Sequence, residues 1–115
     1  MSEMQWVREF PAEVMVCDKN GTIIELNDEA GVLFDEDGGR GLVDSNVLDC
    51  HPEPSRTKLA GMLDRQTHNA YFNTENGETR FFFQSPWYKD GQYAGFVEIS
   101  FGVPPTGEIP HFVRE

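Results

Sequence analysis

The sequence predicts an α+β domain: a five-stranded antiparallel sheet with short helices packed on one face. Three observations carry that expectation. Strand-like runs occur in the order two, then three, with helical segments between them. The turns inside each group, Asp18-Lys19-Asn20-Gly21, Asn76-Gly77 and Lys89-Asp90-Gly91-Gln92, are short and glycine-bearing, so neighbouring strands must run antiparallel. The composition, 38% hydrophobic and 25% charged over 115 residues, is that of one folded domain. A chain of this size buries roughly two-thirds of its unfolded surface, so no disulfide or metal is needed to hold it.

Taken in order, residues 1–11 form an amphipathic N-terminal segment. Met4, Trp6, Val7 and Phe10 supply its apolar face, and Pro11 ends it. It is too short to be stable alone and must dock on something. Val14 to Cys17 is an apolar strand, Gly21 supplies the turn, and Thr22 to Leu26 is the return strand. Asn27 can cap a helix, with Asp28 and Glu29 where the helix dipole favours negative charge and Ala30, Leu33 and Phe34 on its apolar face. Residues 35–49 read as an acidic, glycine-rich loop in which Leu42, Val43, Val47 and Leu48 could anchor one or two helical turns, without the lysine and helix start that a phosphate cradle needs. Pro52 and Pro54 stiffen the approach to a longer helix that Ser55 can cap. Leu59, Met62 and Leu63 lay one stripe of it on the core, and it ends near Gln66.

The last third is strands. Tyr71 to Glu75 turns at Asn76-Gly77 into Thr79 to Tyr88, where Ser85-Pro86 is expected to interrupt pairing as a bulge or an edge. Tyr93 to Phe101 closes the sheet, with Val97, Ile99 and Phe101 alternating against Phe96 and Glu98. Glu98, mid-strand among Phe96, Val97 and Ile99, could orient a ligand, and a strand's outward face accounts for it equally well. Phe82 and Phe96 are expected to point outward. Residues 104–115 form a proline-rich tail.

The net charge of −11 disfavours nucleic acid and anionic lipid as partners. There is no membrane-length apolar run and no signal peptide, so the expected location is cytoplasmic. In a reducing compartment Cys17 and Cys50 are expected to be free thiols.

Asp18, Gly21, Ile23, Asn27 and Ala30 match the spacing of the opening block of PAS domains, the small sensory modules of signalling proteins. Asn46-Val47-Leu48-Asp49 followed by His51-Pro52-Glu53 resembles the segment leading into their long helix. Asp90-Gly91 followed by Gly95-Phe96-Val97-Glu98-Ile99 resembles their closing hairpin. The blocks stand in family order across residues 12–103. Two features depart from the family: Ser100-Phe101-Gly102-Val103 replaces its aspartate-isoleucine-threonine ending, and the helix that commonly carries signal onward is missing.

The resemblance implies a small-molecule cavity between the long helix and the inner sheet face. Leu33, Leu59, Met62, Leu63, His68, Phe83 and Val97 are the expected lining. It also implies a stand-alone sensor that passes its output to a separate effector chain, with no catalytic activity. Haem enters only through His68, because haem-binding members take an axial histidine from this region. A cap on the helix C-terminus accounts for His68 more simply. Flavin-cysteinyl chemistry is not expected, since Asn46 is followed by Val47 rather than cysteine.

No metal site is expected either. His51, flanked by Asp49, Cys50 and Glu53, has no second spaced pair and is better explained as a loop anchor. Paired catalytic carboxylates on rigid elements are not evident. Trp6, Val7, Phe10, Phe82 and Phe96 are the expected contacts of a homodimer formed on the outer sheet face. The rival reading is a ligand-free dimerisation or protein-interaction module with a filled core.

Overall fold

The computed structural model describes residues 5–115; Met4 and the side chain of Cys50 lie outside the described residues. A short helix α1 (Gln5–Arg8) precedes strand β1 (Glu13–Asp18), strand β2 (Ile23–Leu26) and helix α2 (Asp28–Leu33). Single 3-10 turns at Asp35–Asp37, Gly39–Leu42 and Val47–Cys50 lead to helix α3 (Ser55–Arg65). Strands β3 (Asn69–Glu75), β4 (Glu78–Lys89) and β5 (Gln92–Val103) follow. All pairings are antiparallel and the spatial order is β2-β1-β5-β4-β3, so the first and last strands of the chain meet at the centre. This is the predicted α+β architecture.

The first turn closes for the reasons its residues suggest. Gly21 has a φ of +88°, and the Asp18 carboxylate accepts from the backbone N–H of Asn20 (2.9 Å) and Thr22 (3.0 Å). Asn76-Gly77 and Asp90-Gly91 both hold left-handed backbone at each residue, the signature of two-residue hairpins. Gly95, on β5, has no alternative residue. Its φ is +148°, and a Cβ there would overlap the carbonyl oxygen of Cys17 on β1.

Local structure differs from expectation in three places. Ser55 does not cap α3; the Glu53 carboxylate does that work, accepting from the N–H (3.1 Å) and hydroxyl (2.7 Å) of Thr57. Residues 35–49 carry three 3-10 turns rather than one or two, tied to the sheet by Asn46, whose side-chain amide donates to Asn20 O at 2.9 Å. β4 keeps its pairing with β5 through Ser85-Pro86, with Pro86 paired to Phe96, and its register shifts only afterwards, between Trp87 and Tyr88. Proline is tolerated because β3 stops at Asn69, opposite Gln84, so beyond that point β4 has a neighbour on one side only.

The core lies between the sheet and the helices: Cys17, Ile23, Leu26, Ala30, Val47, Met62 and Phe96 pack together. Cys17 is a buried free thiol, and burial raises its pKa, so it stays protonated.

The N-terminal segment docks on its own domain. Val7 is 1% exposed, whereas Trp6 is 64% exposed and meets the Phe10 ring edge-on at 5.6 Å. Asn27 anchors the segment. Its amide donates to the carbonyls of Val7 (2.9 Å) and Ala12 (2.8 Å), while its oxygen accepts from Val14 N (3.0 Å) and Ala30 N (3.0 Å). One buried side chain therefore caps α2, aligns β1 and fixes the chain in front of it.

Candidate functional site

Pairing register assigns the sheet faces. Cys17 stands opposite Phe96, Met15 opposite Glu98, and Glu13 opposite Ser100, so these share one face. Gln84 opposite Glu98 and Tyr71 opposite Phe82 extend the same face across β4 and β3. This is the inner face, because its residues meet Phe34, Leu42, Val47, His51 and Leu59 across a cavity of about 240 Å³.

Phe82 and Phe96, expected on the outer surface, line the cavity instead. Glu98 is on the same face and borders the cavity too, the ligand-orienting of its two expected positions. Its carboxylate is half-buried and accepts from the Gln84 amide at 2.6 Å.

Of the residues expected to line the cavity, Leu59 and Val97 border it. Met62 is instead buried in the packed core and Leu63 lies against that core. Leu33 borders a second groove with Phe82, Arg80 and Val103. Phe83 stands on the outer face, with the exposed His68 ring 6.3 Å from it. His68 thus sits outside the cavity, which removes the geometry on which a haem-ligand role rested. Val7, expected at a dimer surface, is buried in its own domain for the reason given above.

His51, read as a loop anchor, is both anchor and wall. Its Nδ1 lies 2.7 Å from the carbonyl of Val47, and the ring borders the cavity. Since a carbonyl only accepts, Nδ1 carries the hydrogen, and in the neutral ring Nε2 is left as an acceptor. Tyr71 stacks on Phe82 with ring centroids 5.0 Å apart, and burial raises its pKa.

Beside the cavity lies the group sequence reasoning missed. Glu13 is fully buried, and its pKa is pushed up to about 9, first by burial and then by the Glu98 carboxylate. Its Oε1 accepts from the Ser100 hydroxyl at 2.5 Å, and that hydroxyl accepts in turn from Arg80 Nε at 2.8 Å. Among the described residues no group donates to Glu13 Oε2, and the protonated Glu13 shares a side-chain hydrogen bond with the Glu98 carboxylate. An acid opening a strand just after Pro11-Ala12 reads as surface; only the pairing of β1 with β5 buries it.

The sequence matches no family model and no curated protein. Solved structures are similar in fold. The chain resembles the C-terminal domain of a Streptococcus mutans protein with a TM-score of 0.71 at 18% identity, covering 89% of this chain and 83% of that one. It resembles the PAS domain of Bordetella pertussis BvgS with a TM-score of 0.64 at 16% identity, covering 94% and 91%. It also resembles the Aer2 receptor of Vibrio cholerae, a dual PAS-heme oxygen sensor, with a TM-score of 0.60 at 13% identity, covering 81% and 95%. The sheet order, the helical layer over the inner face and these likenesses together show that the chain has the PAS-like fold.

Proposed function

We propose that this chain is a non-catalytic sensory domain. A small molecule enters the inner cavity, and the outer sheet face passes the result to a second chain. The observation that carries this reading is the cavity itself, about 240 Å³ with mainly apolar walls and a few convergent polar groups. By comparison, a cavity of about 150 Å³ suffices for benzene. Binding would order the turns over the cavity and shift the population of surfaces offered to a partner.

The outer face supports the second half. Phe72 is 64% exposed, and Phe83 and Phe101 are also exposed on a continuous apolar surface with Phe81 and Ile99. A homodimer formed there, or a separate effector docked there, would cover it. The net charge of −11 makes nucleic acid and anionic membranes poor partners. Among the described residues no helix is long and apolar enough to cross a membrane.

Two experiments separate sensor from filled docking module. Leu59→Trp places an indole where the cavity now is. The variant is expected to keep or gain stability in urea melts and to lose small-molecule binding; in a close-packed core the same change would cost about 1–3 kcal/mol, and that loss would favour the docking module. For the outer face, Phe101→Asp is expected to shift the protein from dimer to monomer in sedimentation. A wild type that sediments as a monomer at every concentration would remove the homodimer.

A further inference from the structure

The charged groups of the inner cavity have one sign. Glu98 and Asp37 are carboxylates, and no lysine or arginine lines the cavity among the described residues. His51 spends its Nδ1 hydrogen on Val47 O and turns an acceptor outward when neutral. The Gln84 amide donates one of its two hydrogens to Glu98. Behind Glu98 lies the buried Glu13, which keeps its proton and shares a side-chain hydrogen bond with the Glu98 carboxylate. The charged groups acting on Glu13 are Glu98 on β5 and Arg80 on β4, and the Tyr71 hydroxyl approaches from β3. Arg80 is tied to the Ser100 hydroxyl and borders the second groove rather than the cavity. The inner cavity therefore offers negative charge, with the Tyr71 hydroxyl and the second Gln84 amide hydrogen as neutral donors and no cation in its lining among the described residues.

We propose that the cavity takes a small monocyclic molecule bearing a protonated amine, its ring among Phe82, Phe96 and Leu59 and its ammonium on Glu98. This rests on the cavity being a binding site. An ammonium there supplies the positive charge that the lining lacks, with charge-assisted hydrogen bonds to Glu98, and offsets the Glu98 charge that helps keep Glu13 protonated.

The test compares 2-phenylethylamine, 2-phenylethanol and phenylacetate, matched in shape and differing in charge, by calorimetric titration of the full chain. The amine is expected to bind at least roughly tenfold more tightly than the alcohol, the margin of a charge-assisted over a neutral hydrogen bond, with phenylacetate the weakest. Glu98→Gln should remove the amine's advantage, bringing the ratio of amine to alcohol affinity toward one. Equal or tighter binding of the alcohol by the wild type would overturn the proposal and leave the cavity standing as a site. No binding by any of the three would overturn both. An amine preference that survives in Glu98→Gln would remove Glu98 as the seat. The wild-type ratio decides the matter even if the variant does not fold.

Discussion

Asn27→Leu is expected to cost the domain on the order of 4 kcal/mol or more, enough to leave a substantial part of it unfolded at room temperature. Leucine is close to asparagine in size, so the loss would come from polarity rather than from a void. The Ala12 carbonyl and the N–H groups of Val14 and Ala30 would lose the Asn27 side chain, and the Val7 carbonyl would keep only the Phe10 N–H. A buried group left unsatisfied costs about 1–3 kcal/mol. Asn27→Asp separates the two halves of the role. It keeps an acceptor for Val14 N and Ala30 N but turns a charged oxygen toward the two carbonyls. Hydrogen exchange should then rise selectively across residues 5–12 while β1 and α2 keep their protection. Uniform protection in Asn27→Asp would show that the N-terminal segment is held by Val7 packing and not by this side chain.

Glu13→Gln is expected to stabilise the protein, by on the order of 3 kcal/mol near neutral pH, and to flatten its pH dependence. In the unfolded chain Glu13 ionises near its ordinary value of 4.5, but in the fold it holds its proton up to about 9. Between those values the folded state binds a proton that the unfolded state has released, so rising pH favours unfolding. The Glu13 contribution to stability is intact below about 4.5, falls by about 1.4 kcal/mol per pH unit above it, and levels off above about 9. Glutamine mimics the protonated carboxyl, keeps an acceptor for the Ser100 hydroxyl, and cannot ionise. Urea melts of both proteins across this range should give curves that meet at the acid end and diverge toward the alkaline end. Curves that stay parallel would mean that Glu13 ionises in the fold as it does in the unfolded chain.

These two residues show what could be read from the chain and what could not. The hairpin, its turn and the cap at Asn27 were legible because each depends on neighbours within a few positions: Asp18 and Gly21 for the turn, Asn27 and Ala30 for the cap. The bonds from Asn27 back to Val7 and Ala12 depend on where α1 comes to rest, which local pattern does not encode. The strands were legible by composition, but their faces were not. In β1, Val14, Met15, Val16 and Cys17 are apolar on both sides, so nothing there marks which side is inner. On β5 the charge of Glu98 fits either a wet face or the polar end of a cavity, so it marks neither side. Phe82 and Phe96, expected outward, face in. Glu13 escaped notice because its burial arises from the pairing of the chain's first strand with its last.

The claim at the centre of this account is that the space between the inner sheet face and the helices admits a ligand. Methyl NMR of the wild-type protein, titrated with 2-phenylethanol or 2-phenylethylamine, tests it most directly, because methyl groups mark both faces of the sheet. Met15, Val47 and Leu59 border the cavity, whereas Val14 and Ile99, paired across β1 and β5, belong to the opposite face. The account predicts saturable shifts at the Met15, Val47 and Leu59 methyls with Val14 and Ile99 unmoved. Shifts confined to Val14 and Ile99, or none at any of these methyls up to the solubility of both probes, would contradict it.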